Sequence, residues 1–301
     1  MSDNPIIIVG AGQAGLQLAD SLRRGGYDGD LILVGDEDSL PYQRPPLSKR
    51  YLNGDMADER LLFRPVDYYK KQKIEILTGA RVQAIDAKAR SLDLAGEPRQ
   101  YSKLALTTGA SVRRIPVPGA DSPGVCYLRS IGDARTIRET LSSSSARVVA
   151  IGGGFIGLEI AASARELGRS VTVVEAQDRL MARVVAPLLS DFYLELHRNR
   201  GIEVMLNATV SRIDKQDDGS LSVILADGRS VEGDIVVVGI GSIPHSELAE
   251  AAGLSCDNGI IVNEYAQTSD PDIVAAGDCT MHNNSRLGVR HRLESVQNAV
   301  D

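Results

Sequence analysis

The sequence predicts an α/β fold assembled from two copies of one module: a strand, a glycine-rich turn, a helix and a second strand. Three observations predict it. The apolar, β-branched run Ile6–Val9 leads into Gly10-Ala11-Gly12-Gln13-Ala14-Gly15, and residues 16–24 continue at helical spacing. Residues 148–151 lead in the same way into Gly152-Gly153-Gly154-Phe155-Ile156-Gly157, followed by a helix reaching Leu167. Each module closes on a further apolar strand with an acid just beyond it, Leu31–Val34 before Asp36 and residues 171–174 before Glu175. Strands alternating with helices in this way imply a parallel sheet.

The duplication extends beyond the modules. Residues 92–108 read as strands turning near Gly96 and ending at Gly109, and residues 221–238 as strands turning at Asp227-Gly228 and ending at Gly239. Each half is therefore expected to carry an added antiparallel meander and a closing strand. Ile115-Pro116-Val117-Pro118-Gly119 continues neither a helix nor a central strand, so a hinge is expected there. Gly239-Ile240-Gly241-Ser242-Ile243-Pro244 marks the return. The serine run 142–145 reads as a loop, and a last helix opens near Ser295.

Composition narrows the function. A chain of 301 residues suggests two domains, and 43% hydrophobic with 24% charged residues excludes a disordered composition. Lys and Arg total 33 against 40 Asp and Glu, a net charge of −7, which argues against nucleic-acid binding. Aromatics make up 4% with no Trp, which argues against a base-stacking surface. Cys126, Cys256 and Cys279 form no Cys-x-x-Cys, which excludes a disulfide framework, a Cys-rich zinc site and a closely spaced dithiol. The histidines, His197, His245, His282 and His291, have no metal-ligand spacing, so no metal is expected. No apolar run approaches 18 residues and the first residues lack signal-peptide character. A cytoplasmic protein without a membrane segment is the expectation.

Both glycine turns match a dinucleotide fingerprint, and both follow a strand and open a helix as that fingerprint requires. In such a turn the first glycine (Gly10, Gly152) makes the tight bend. The second (Gly12, Gly154) lets backbone approach a pyrophosphate, and the third (Gly15, Gly157) permits close helix–strand packing. The helix N-terminus favours the phosphate charge. Asp36, with Glu37 as fallback, is placed to meet adenosine ribose hydroxyls, 26 residues after Gly10. Glu175 stands 23 residues after Gly152, where a carboxylate accepts ribose hydroxyls and repels a 2′-phosphate, favouring NAD over NADP. Arg179 reads as a solvated surface arginine. The expectation is two Rossmann-like dinucleotide-binding domains, hence two cofactors.

Pro41-Tyr42-Gln43-Arg44-Pro45-Pro46-Leu47-Ser48-Lys49 strongly resembles the motif after the first module in FAD- and NADH-dependent ferredoxin reductases, the putidaredoxin-reductase-like enzymes that serve cytochromes P450 and ring-hydroxylating dioxygenases. Further matches are Thr107-Thr108-Gly109-Ala110, Phe155-Ile156-Gly157-Leu158-Glu159, Thr268-Ser269-Asp270-Pro271, Ala276-Gly277-Asp278-Cys279 and Glu294-Ser295-Val296-Gln297-Asn298-Ala299. The resemblance covers essentially the whole chain. It implies a glutathione-reductase-like arrangement in which an FAD domain, residues 1–114 and 243–301, is split by an inserted NAD domain, residues 115–242.

The resemblance places FAD against Gly10, Gly12, Ala14, Gly15, Asp36, Arg44, Lys49, Val82, Gly109, Arg129, Asp278 and Val296. It places NAD against Gly152, Gly154, Ile156, Gly157, Glu175 and Gly241. Lys49 and Glu159 resemble the family's catalytic ion pair beside the flavin's reactive nitrogen. His245 stands where the family usually has asparagine. The implied reaction is hydride transfer from NADH to FAD, then single electrons to a two-iron iron–sulfur ferredoxin, which in turn feeds an oxygenase. The family continues for about a hundred further residues into a C-terminal interface domain that these 301 residues do not include. Arg286, Arg290 and Arg292 are candidates for a local basic docking patch. The alternatives are an NADH oxidase or nitrite-reductase-type flavoprotein, and an interaction flavoprotein like apoptosis-inducing factor. The peroxide-reducing relatives use a cysteine in the region corresponding to 40–50, and none is present there. The three cysteines are read as structural.

Overall fold

The computed structural model describes residues 4–284 and 288–300. It divides into two compact units. Unit 1 comprises Met1–Gln43, Leu62–Ser111 and Ile243–Asp301, and unit 2 comprises Arg44–Leu61 and Val112–Ser242. One segment departs from the boundaries read in the sequence. Residues 44–61, within the span 1–114, cluster with unit 2. Side chains account for this. The Tyr51 ring lies under the Arg138 guanidinium at 4.8 Å, its hydroxyl donates to Asp58 at 2.8 Å, and Asp58 pairs with Arg135.

The core of unit 1 is a five-stranded parallel sheet. Its order is Ile273–Ala275, Lys103–Leu106, Ile6–Val9, Leu31–Val34, Ile74–Leu77. Unit 2 repeats that order with Val125–Tyr127, Ile235–Val238, Arg147–Ile151, Ser170–Val174, Glu203–Met205, again all parallel. In each unit the strand that feeds the glycine turn is central. The outer strand beside Lys103–Leu106 or Ile235–Val238 differs in origin: it is the last of the sheet's strands in sequence in unit 1 and the first in unit 2. That difference is the topological trace of one unit inserted into the other.

Side chains alternate across a strand, so each sheet buries two faces. Ile7 and Val9 join a cluster with Val82, Ile85, Leu92 and Leu94 of the meander, whereas Ile8 joins Leu16 and Ala19 of the Gln13–Arg24 helix. Burial on both faces explains why these strands are continuous apolar runs instead of alternating patterns. Each unit carries a three-stranded antiparallel meander, Val82–Asp86, Ser91–Leu94, Glu97–Gln100 and Val210–Lys215, Leu221–Leu225, Ser230–Gly233. Both show a register shift in the first strand, at Val82/Ala84 and at Val210/Arg212. Unit 1 adds a small sheet of Ile260–Val262, Thr280–Asn284 and Val289–His291. Among the described residues, no helix is long and apolar enough to cross a membrane.

Candidate active site

In unit 1 the sterics of the fingerprint are specific to each glycine. Gly10 has φ +114°, and a Cβ on it would overlap the Thr107 carbonyl oxygen. A Cβ on Gly15 would overlap the Gly10 carbonyl oxygen. These two glycines are demanded by the protein itself. Gly12 is different, because a Cβ there would meet nothing within 4 Å. Gly12 is also the N-cap of the Gln13–Arg24 helix, which has neither a side-chain cap nor an acid in its first turn. The amides and positive end of that helix are thus left for an outside anion. This combination fits a pyrophosphate, which needs close backbone approach and amide donors.

Other residues gather at the same helix start. A Cβ on Gly277 would lie 3.1 Å from the Ala14 methyl, so the Gly277-Asp278 loop lies directly on the turn. The Asn298 side-chain amide donates to the carbonyls of Gly277 at 3.1 Å and Leu293 at 2.9 Å, which ties the Val296–Val300 helix to that loop. The glycine turn, the Gly277-Asp278 loop and the Val296–Val300 helix therefore meet at one helix start. Thr107, which sequence reasoning passed over as a site residue, braces the turn by donating to the carbonyls of Val9 at 3.1 Å and Gly10 at 2.8 Å. Its only sequence signal was its place in Thr107-Thr108-Gly109-Ala110. Gly109 accepts from the His245 amide at 2.9 Å, and the His245 carbonyl accepts from Thr108 Oγ1 at 2.7 Å. Asp36 is exposed beyond its strand, while Glu37 accepts the Tyr42 hydroxyl at 2.6 Å. Val82 is 4% exposed and packs in the core cluster with Val9 and Leu94. Cys279 is fully buried, with its Sγ 3.4 Å from the Ala276 carbonyl oxygen, and burial pushes its thiol up, away from the reactive thiolate.

Unit 2 repeats the steric pattern. A Cβ on Gly152 (φ +106°) would overlap the Gly239 carbonyl oxygen, and one on Gly157 would overlap that of Gly152. Gly154 faces nothing within 4 Å and caps the Phe155–Glu166 helix, again without a side-chain cap. Ile156 is 41% exposed on the first turn of that helix. Glu175 sits at the end of its strand, where its carboxylate accepts from the Gly153 amide at 2.5 Å and the Gln177 amide at 2.8 Å. The backbone thus fixes this carboxylate at the lip of the glycine turn. Gly241 has φ +113°, and its carbonyl accepts from the Arg113 amide at 2.9 Å. Arg179 is not the solvated side chain read from the sequence. It donates to the carbonyls of Ala182 and Val185 and to Ser190 Oγ, at 2.6, 2.9 and 2.8 Å, and so pins the following loop.

Also within unit 2, Lys49 Nζ lies 2.6 Å from Glu159 Oε2, so the ion pair suggested by the sequence is formed. The two residues are 110 apart in the chain. Arg44 donates to the Arg129 carbonyl at 2.6 Å, and the Arg129 amide donates to Asp133 at 3.0 Å. Asp133 belongs to a capping box with Ser130 at the start of the Ile131–Leu141 helix, which fixes Arg129 and through it Arg44. Of the suggested basic patch, Arg286 lies outside the described residues. Arg290 pairs with Asp257 at 3.8 Å, and Arg292 pairs with Glu294 at 2.6 Å with its side chain only 12% exposed. Each therefore has an acidic neighbour, distant and exposed for Arg290 and close for Arg292. Among the described residues, no cluster of His, Cys, Asp or Glu could hold a metal ion.

The sheet order and the two fingerprint turns define a two-dinucleotide oxidoreductase. Residues 4–301 match the pyridine nucleotide-disulphide oxidoreductase family, and the chain belongs to it. Among its relatives, it is 46% identical to rhodocoxin reductase of Rhodococcus erythropolis, over 98% of this chain and 69% of that protein. It is 40% identical to putidaredoxin reductase of Pseudomonas putida, over 100% of this chain and 72% of that protein. Its fold matches the crystal structure of the covalent putidaredoxin reductase–putidaredoxin complex with a TM-score of 0.96 and 40% identity, covering 100% of this chain and 73% of that one. Cys126, Cys256 and Cys279 are all free, so no disulfide is present despite the family's name.

Proposed function

We propose that this chain is the dinucleotide-binding part of an FAD-containing, NADH-dependent ferredoxin reductase of the cytoplasm that serves a cytochrome P450 or a ring-hydroxylating dioxygenase. The observation that carries the reading is the presence of two fingerprint turns in one chain, each with an open second glycine at an uncapped helix start. The relatives named as rhodocoxin and putidaredoxin reductases support the acceptor class.

In this reading unit 1 holds FAD. The amides at Gly12 to Ala14 meet the pyrophosphate, Asp36 the adenosine ribose, and Asp278 and the Val296 helix start the remainder. Val82 and Gly109 are assigned to the same cofactor by the family resemblance. Unit 2 holds NADH. Gly152, Gly154, Ile156 and Gly157 form its turn, Glu175 takes the ribose hydroxyls, and Gly241 keeps the opposite loop free of a side chain. The family resemblance assigns Arg44, Lys49 and Arg129 to the flavin cofactor, where a cation offsets pyrophosphate charge, and assigns Lys49 with Glu159 the role of the catalytic ion pair. FAD, when bound, accepts a hydride from NADH and can release its electrons singly. The residues supply alignment and charge, and hydride transfer requires no protein nucleophile or general base.

Denaturing the purified protein and identifying the released cofactor tests the reading. FAD is expected. Release of FMN, or no flavin after reconstitution, would overturn it. A panel of two-iron ferredoxins then reports the acceptor.

A further inference from the structure

The Lys49–Glu159 pair has a third member. Ser48 is 2% exposed and ends the short 3-10 helix Pro45–Ser48. Its hydroxyl donates to Glu159 Oε2 at 2.6 Å, the same oxygen that accepts Lys49. Its carbonyl accepts from Ser163 Oγ at 2.7 Å. Glu159 and Ser163 are four residues apart on the Phe155–Glu166 helix and therefore share a face. That face grips one residue twice, in opposite directions: Ser163 donates to the Ser48 backbone and the Ser48 side chain donates to Glu159. Lys49 is held differently. Its side chain is 47% exposed, and its other contacts are the Pro45 carbonyl at 3.2 Å and Ser48 Oγ at 3.4 Å.

We infer that Ser48 is a positioning residue that fixes the Glu159 carboxylate, which the half-exposed Lys49 alone would hold loosely. The inference rests on the function proposed above for Lys49 and Glu159. A half-exposed lysine on four methylenes is a poor anchor, because holding it still costs side-chain entropy and water competes for its charge. A buried hydroxyl has few alternative partners and a fixed rotamer. A carboxylate whose cation is half exposed is held more firmly by a second, buried donor, and Ser48 is that donor. Ser48→Ala removes one oxygen atom without adding bulk, so it tests the hydroxyl alone.

Two readouts decide the matter. In protein without added cofactor, the side-chain carboxyl carbon of Glu159, assigned by its absence in Glu159→Gln, should give one sharp NMR resonance in the wild type. In Ser48→Ala it should shift and broaden, while the melting temperature stays close to wild type. In flavin-loaded protein, the limiting rate of flavin reduction by NADH should fall about tenfold in Ser48→Ala, as expected for one hydrogen bond to a charged group. The apparent Kd for NADH should change less than about twofold, because the lost contact is to Glu159 and not to the nucleotide. Ser48→Thr, which keeps the hydroxyl, should recover most of the rate, and Ser163→Ala, which loosens only the backbone anchor, should fall between. An unchanged resonance and rate in Ser48→Ala would overturn the inference. So would equal losses in Ser48→Ala and Ser48→Thr accompanied by loss of flavin, which would mark a merely structural role. If the wild type bound no flavin or ignored NADH, the proposed function would fail, and the resonance would still decide whether Ser48 holds Glu159.

Discussion

Among the glycines, position decides what a side chain would cost. Gly10 and Gly12 are two residues apart, yet a methyl group strikes the Thr107 carbonyl at the first and nothing at the second. Gly10→Ala should therefore lower the melting temperature sharply, since it adds a clash to a positive φ. Gly12→Ala should leave melting of the cofactor-free protein nearly unchanged and instead reduce flavin content. Thermal melts with and without flavin check the pair, and equal destabilisation by both would contradict the account. Glu175 yields a second prediction. Glu175→Ala should weaken NADH binding roughly five- to a hundredfold, the loss of about 1–3 kcal/mol, and relax discrimination against NADPH. Better use of NADPH than of NADH by the wild type would show that the role given to Glu175 is wrong. These residues were legible because glycine sterics and strand-end acids are local in sequence. Ser48 and Thr107 were not, because their roles depend on partners 111 and 97 residues away.

The elements are held by apolar packing, and pairing depresses a few acids that link them. Lys103 beside Asp272, with Arg90, holds its carboxyl below the usual carboxylate value, 3.8, and these contacts join the strand Lys103–Leu106 to the turn before Ile273–Ala275. Arg135 and Tyr51 do the same for Asp58, and Arg147 for Asp234. Carboxyls depressed by folding contribute stability that is fully present above their unfolded pKa and is lost as pH falls through the folded values. Melting temperature should hold from neutral pH down to about 5 and decline below about 4. Asp272→Asn should lower it at pH 7 and flatten the acid decline, and an unchanged slope would assign acid sensitivity elsewhere. Leu33, fully buried in the sheet, sets the apolar scale: Leu33→Ala should cost about 2–5 kcal/mol in denaturant melts. The strands flanking each glycine turn were readable as apolar runs. The first meander strands, Val82–Asp86 and Val210–Lys215, were not, since half their residues face solvent and each carries a register shift.

For the whole molecule, duplication is the governing fact. Two five-stranded parallel sheets that share the arrangement of four strands and differ in where the fifth comes from, each with its meander and its glycine turn, come from one chain that inserts the second unit into the first. That much was visible in the spacing of the motifs. The placement of residues 44–61 with unit 2 was not, because Tyr51, Asp58 and Ser48 find their partners on helices that begin at Ile131 and Phe155. This placement unites Arg44 and Lys49 with Arg129 and Glu159 in one unit, whereas the fingerprint that the account assigns to FAD lies in the other. The central claim is therefore that a single chain carries both an electron-accepting flavin and the nucleotide that reduces it. An anaerobic titration of the purified, flavin-loaded protein with NADH, followed in the visible flavin band, tests it most directly. The account predicts complete bleaching at one NADH per flavin, with NADPH far less effective. A flavin band that persists under excess NADH would contradict it.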